Sequence, residues 1–167
     1  NNTYSGGTTI SSGTIQVGNN TSTGAIGSGA INVTSGGTLK VNRTGTLVLA
    51  QNISGDGAIV QEGSGRLAIT SDNDLDGTAS DFSGTVTATA GTLGVYHDDA
   101  LGTATVTLGA STGTVDFLIG RAVSDIGNNI TLAGNVDVSF DRTVEYLIVG
   151  GGGSGGVRPG GGGGAGA

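Results

Sequence analysis

Residues 4–18 read YSGGTTISSGTIQVG, and residues 82–96 read FSGTVTATAGTLGVY. Tyr4 answers to Phe82 and Gly13 to Gly91, each pair 78 residues apart. A return of this kind signals a repeat architecture, and the nature of the repeat decides the fold. The shared phrase is short: a glycine, a small or polar residue, then an apolar one. It recurs as Gly13-Thr14-Ile15, Gly29-Ala30-Ile31, Gly37-Thr38-Leu39, Gly45-Thr46-Leu47, Gly57-Ala58-Ile59 and Gly65-Arg66-Leu67. Later copies are Gly84-Thr85-Val86, Gly91-Thr92-Leu93 and Gly113-Thr114-Val115.

Two residues past the apolar position a second one usually follows. The pairs are Ile15/Val17, Ile31/Val33, Leu39/Val41, Leu47/Leu49, Leu67/Ile69, Leu93/Val95, Val106/Leu108, Val115/Phe117, Ile130/Leu132 and Val136/Val138. A spacing of two is the strand period and places both members of a pair on one face. Between them stand Gln16, Asn32, Lys40, Val48, Ala68, Gly94, Thr107, Asp116, Thr131 and Asp137, mostly polar or small and so expected to face water. The glycine before each pair permits the positive φ of a sharp corner. Val and Thr suit the strands themselves. No window carries apolar residues at helical spacing among good helix formers, so the chain reads as all-β with short strands.

Composition narrows how such strands can pack. The 167 residues include 36 Gly, three Tyr and three Phe, with no Trp or Met, so the core must be thin layers of aliphatic side chains and methyl groups. Asp-Gly steps, the signature of tight hairpins, occur only at Asp56-Gly57 and Asp76-Gly77. Strands so close together leave no room for crossover helices. The remaining solution is a coil in which each strand pairs in parallel with the strand one turn later. At roughly 20 to 25 residues per three-strand turn, residues 1–141 would make about six turns, and the 78-residue return would be a few of them. The fold expected is a parallel β-helix, or solenoid, over residues 1–141, followed by a strand and glycine-rich tail or linker over residues 142–167.

Several function classes are disfavoured by charge and chemistry. A formal net charge of −7 with only six Lys and Arg argues against nucleic acid and against an anionic membrane surface as partners. No apolar run is long enough to span a bilayer, so no membrane insertion by this segment is expected. The absence of Cys removes disulfides, thiolate metal sites and Cys nucleophiles.

At this point the residues carry a resemblance. Tyr4-Ser5-Gly6-Gly7-Thr8-Thr9-Ile10, then Ser12-Gly13-Thr14-Ile15-Gln16-Val17, resembles the passenger-associated β-strand repeat of bacterial autotransporters. Ile53-Ser54-Gly55-Asp56-Gly57-Ala58-Ile59, then Gly63-Ser64-Gly65-Arg66-Leu67-Ala68-Ile69, is similar to the other half of that repeat. The match is looser from Phe82 to Asp141. What the resemblance implies is a right-handed β-helix exported across the outer membrane, in which such repeats form a stalk and are associated with transport and folding. It implies an extracellular or outer-membrane-surface location, and passengers that tend to lack Cys, as here. No catalytic residue is carried over, because no catalytic motif is matched. Val144-Glu145-Tyr146-Leu147-Ile148-Val149 and the glycine tract after it resemble, more weakly, glycine-rich modules of bacterial surface proteins and phage fibres. That tract is either a flexible linker or a set of packed extended glycine helices.

Two segments look chemical. Asp72-Asn73-Asp74-Leu75-Asp76-Gly77 sets carboxylates at alternate positions before a glycine, as an EF-hand-like loop begins. Ser83 stands where the bidentate Glu of such a loop would be, so Asp72, Asp74 and Asp76, with Asp81 nearby, are candidates only for a looser calcium turn. The other reading is an acidic surface loop. No cofactor is otherwise required. Tyr96-His97-Asp98-Asp99 holds the only His, but neighbours in an extended chain face opposite ways, and the run reads as a solvated loop.

The function expected is structural and non-catalytic: a stalk, spacer or fibre subunit. The alternative is an adhesin module that binds carbohydrate or a host surface through its polar outer face. A polysaccharide-cleaving β-helix is a third class, disfavoured because Lys40, Arg43, Arg66, Arg121, Arg142 and Arg158 are dispersed and aromatics are few. Exposed end turns would need covering, which makes neighbouring segments of the same polypeptide, or other copies of the chain, the expected partners.

Overall fold

A computed structural model describes residues 2–71, 82–109 and 113–141. In chain order the strands are β1 (Thr8–Ile10), β2 (Gly13–Thr21), β3 (Ile31–Val33), β4 (Gly37–Arg43), β5 (Leu47–Leu49), β6 (Ile53–Ser54) and β7 (Ala58–Gln61). There follow β8 (Arg66–Ile69), β9 (Thr85–Ala88), β10 (Gly91–Val95), β11 (Thr105–Leu108), β12 (Val115–Ile119), β13 (Ile130–Leu132) and β14 (Val136–Phe140). Among the described residues there is no helix.

The strands form three parallel sheets, in the orders β1-β3-β6, β2-β4-β7-β9-β11-β13 and β5-β8-β10-β12-β14. A parallel bridge from Gly55 to Phe82 extends the three-stranded sheet by one more turn. Each strand thus pairs with its counterpart one circuit later, and the molecule is an all-β parallel β-solenoid. Six strands in the longest sheet mark about five turns rather than six. Turn length varies along the coil: register partners Thr38 and Ala58 lie 20 residues apart, but Ala58 and Thr85 lie 27 apart.

The 78-residue return is not a whole number of turns. Gly13 pairs with Gly37, and the corner above it continues through Gly57 to Gly84. Three turns from Gly13 therefore end at Gly84; Gly91 lies seven residues further, on the next sheet, stacked on Gly65. What repeats in the sequence is the strand-and-corner phrase, used on more than one face.

Seven of the ten apolar pairs are buried at both positions, from Ile31/Val33 through Val115/Phe117. Together with Ile10, Ile53, Ile59, Val86 and Phe82 they fill one continuous core inside the coil. The exceptions lie at sheet ends. Ile15 in β2, Leu132 in β13 and Val138 in β14 are exposed, because a terminal strand has a neighbour on only one side. Ala68 and Gly94, expected to face water, are buried instead. The Tyr96 ring folds back over that outer face, and a Cβ on Gly94 would stand 2.9 Å from its Cε2.

Glycine at the corners serves closeness more than positive φ. Gly13, Gly91 and Gly113 do have positive φ, but Gly37, Gly57, Gly65 and Gly84 do not. A Cβ on Gly84 would meet the Gly57 carbonyl oxygen at 1.9 Å, and one on Gly65 the Gly45 carbonyl oxygen at 2.3 Å. Stacked corners approach within a distance that only a missing side chain allows.

Candidate functional site

The candidate calcium ligands Asp72, Asp74 and Asp76, and Asp81, lie outside the described residues. Among the described residues no group of three or more His, Asp or Glu side chains is placed to hold a metal ion.

The His97 loop is described, and it is more than a solvated loop. After β10 the chain makes successive turns, with Ala100 N–H donating to His97 O at 3.2 Å, Gly102 N–H to Asp99 O at 2.9 Å and Ala104 N–H to Leu101 O at 3.1 Å. These turns drop Ala100, Leu101 and Ala104 into the core where earlier turns place a strand. Asp98 is left facing the next turn. Its carboxylate accepts from the Ser124 hydroxyl at 2.7 Å, from Ser124 N–H at 2.5 Å and from Asp125 N–H at 3.2 Å. Those bonds, the hydroxyl's first, hold its carboxyl below the usual carboxylate range, and His97 adds a smaller pull the same way. His97 itself turns Nδ1 toward the Asp99 N–H, 3.4 Å away. The sequence run does not converge on one point; its one engaged carboxylate ties two turns together.

The four described cations behave alike. Lys40 pairs with Glu62 at 2.9 Å, Arg43 donates to the Ser22 carbonyl, Arg66 donates to the Tyr96 hydroxyl at 3.2 Å, and Arg121 donates to the Asp141 carbonyl at 2.9 Å. Each bond joins residues 20 to 30 positions apart, about one turn. Side-chain amides add to this. Gln51 donates to Gly27 O at 2.6 Å, and Asn128 donates to Gly102 O at 2.8 Å and Ala104 O at 3.0 Å. Residue types that would do chemistry in a cleft are here spent between adjacent coils.

One concave site stands apart, and sequence reading missed it. At the last described turn an open cavity of about 490 Å³ is floored by Leu108 and Phe117 and walled by Ile119, Val123 and Ile126. Its rim includes Leu132, Val138 and Phe140, each at least half exposed. Ser124 and Asp125 are its polar lining residues. It is the interior of the coil, opened where β13 and β14 have no further strand beside them among the described residues. The signal in the sequence was present but not separable: Leu132 and Val138 follow the same period as buried residues, and only their terminal position exposes them.

Fold and site together define a parallel β-solenoid whose polar side chains brace neighbouring turns and whose last described turn opens on an apolar cavity. Compared with protein-family models, with curated proteins and with solved structures, the chain matches none.

Proposed function

We propose that the chain is a non-catalytic structural segment of a bacterial surface or autotransporter-like protein, serving outside the cell as a stalk, spacer or fibre subunit. The observation that carries this reading is that every described Lys and Arg, with Asp98, bonds to an adjacent turn. Side chains committed to bracing serve length and rigidity rather than a ligand. At about 4.8 Å per turn, five steps of the long sheet make a rod roughly 24 Å long. The resemblance to passenger-associated repeats supports the location. Treating intact producing cells with an external protease tests it: a surface segment is cut or shaved off without lysis. Full protection until the cells are broken would overturn the extracellular reading.

The second reading, an adhesin module, rests on Tyr96. Its ring lies on the outer face of the third sheet over Gly94, next to Arg66, with the Thr92 hydroxyl donating to Asp116 at 3.4 Å nearby. An aromatic platform flanked by a donor and an acceptor is the minimal equipment for a sugar ring. A glycan array read with the native chain and with Tyr96→Ala decides between the two. Retention that disappears in the variant would favour the adhesin, and no retention would favour the stalk.

A further inference from the structure

The two ends of the described coil match one another in phase, charge and register. Each circuit runs through the three sheets in one order, β3-β4-β5 and then β6-β7-β8. The described strands begin on the first sheet of that order, with β1, and finish on the last, with β14. A second coil laid on β14 would therefore start, with its own β1, where this one leaves off. Edge strands are ordinarily blunted by charge or by Pro, since their free N–H and C=O groups invite another strand. Here they are not. No charged residue or Pro precedes Lys40, so β1 and β2 carry none, and β13, Ile130-Thr131-Leu132, carries none either.

The register columns make the fit specific. Ile15 heads the column that runs through Leu39, Ile59, Val86 and Val106 to Ile130, and Val17 heads the one that ends in Leu108 and Leu132. Between their ends both columns are buried inside the coil. Ile15 is 39% exposed at one end, and Leu132 is 62% exposed at the other. Of the six large apolar side chains exposed among the described residues, only Val48 lies away from the first and last described turns.

We propose that a second copy of this chain stacks head to tail on the last described turn, its β2 continuing the long sheet beyond β13 and its first turn covering the cavity. In the ladder's own register the second copy's Ile15 lies opposite Ile130 and its Val17 opposite Leu132. A second copy is the occupant because the edge it offers is the other end of the same parallel ladder, with no charge to bury. Such a contact is heterologous and, repeated along the coil axis, builds a filament. The inference rests on the fibre-subunit form of the structural reading and not on where the protein serves, so cell shaving and assembly can fail separately.

The test uses the full chain of 167 residues, which has no Cys of its own. Opposed residues of neighbouring parallel strands have Cα atoms about 4.8 Å apart, within disulfide range, whereas Ile15 and Ile130 of one chain are five strand steps, roughly 24 Å, apart. Ile15→Cys mixed with Ile130→Cys should therefore oxidise to a heterodimer joining the two, in several-fold higher yield than either variant gives alone. Equal yields, or no cross-link in the mixture, would overturn the proposal. Light scattering supplies a measurement that needs no cross-link. The mass of the native chain should rise several-fold with concentration, while Ile15→Lys, a charge placed on the free edge, should stay monomeric with an unchanged circular dichroism spectrum. A native chain that is monomeric throughout, or an Ile15→Lys chain that assembles as the native one does, would overturn the proposal.

Discussion

Val48 and Leu49 are neighbours in one strand and live in opposite media. Val48 points outward and is 53% exposed, while Leu49 is fully buried in the core. Leu49→Asp would place an unpaired carboxylate among aliphatic groups and should destabilise the fold by on the order of 4 kcal/mol. Val48→Asp should cost little, and urea melts of the two variants check the contrast. Lys40 and Thr92, outward by the same period, would make poor controls. Lys40 faces Glu62, and Thr92 stands opposite Asp116, so an Asp at either position meets a like charge. The period-two pattern made inward positions such as Leu39, Leu47, Leu67 and Leu93 legible from the chain alone. The cross-turn partner of an outward residue was not legible, because turn length varies. Glycine gives a second contrast. Gly84→Ala must push back the Gly57 carbonyl and should destabilise by about 2 kcal/mol, whereas Gly6→Ala meets nothing within 4 Å and should be neutral or slightly stabilising in the same melts.

Among the elements, the connection from β10 to β11 replaces a strand with successive turns, and its departure has a pH signature. The Asp98 carboxyl titrates below its ordinary value because the charged form accepts three hydrogen bonds from Ser124 and Asp125. A group whose folded value is depressed stabilises the fold at pH above its unfolded value, about 3.9 for Asp. That contribution is lost as pH falls through the lower, folded value. Asp98→Asn keeps an acceptor but not the charge. The melting temperature of the native chain should therefore exceed that of the variant at pH 7, and the gap should begin to narrow only as pH falls below about 4. A gap that stayed constant down to pH 2 would mean the charge is irrelevant to the clamp. Nothing in Tyr96-His97-Asp98-Asp99 announced this role. The partner, Ser124, is 26 residues away, and only the coil brings it alongside.

Across the whole molecule, stability should behave as a sum over turns, since each turn touches only its neighbours. Removing residues 38–57 deletes one circuit in register, joining Gly37 to Ala58 so that β7 takes the place of β4 beside β2. Such a chain should still unfold in one sharp transition, somewhat lower than the parent. Removing residues 38–47 instead shifts the following strands around the coil and should abolish the transition. Circular dichroism melts of the two deletions distinguish a solenoid with interchangeable turns from a fold that needs every segment.

The alternation of apolar and polar residues, the corner glycines and the scarcity of helix formers determined by themselves that the chain is all-β, coiled and aliphatic inside. These are local properties, because a strand's inward face is written at every second residue. Tertiary structure alone decided which turn each phrase belongs to, since turns of 20 and of 27 residues carry the same phrase and only hydrogen-bonded register tells them apart. It decided too that Ala68 and Gly94 lie buried, Gly94 beneath Tyr96, and that Asp98 reaches Ser124. Finally, it decided that Leu132, Val138 and Phe140 border an open cavity, because whether an apolar side chain is covered depends on the turn beside it rather than on its own sequence.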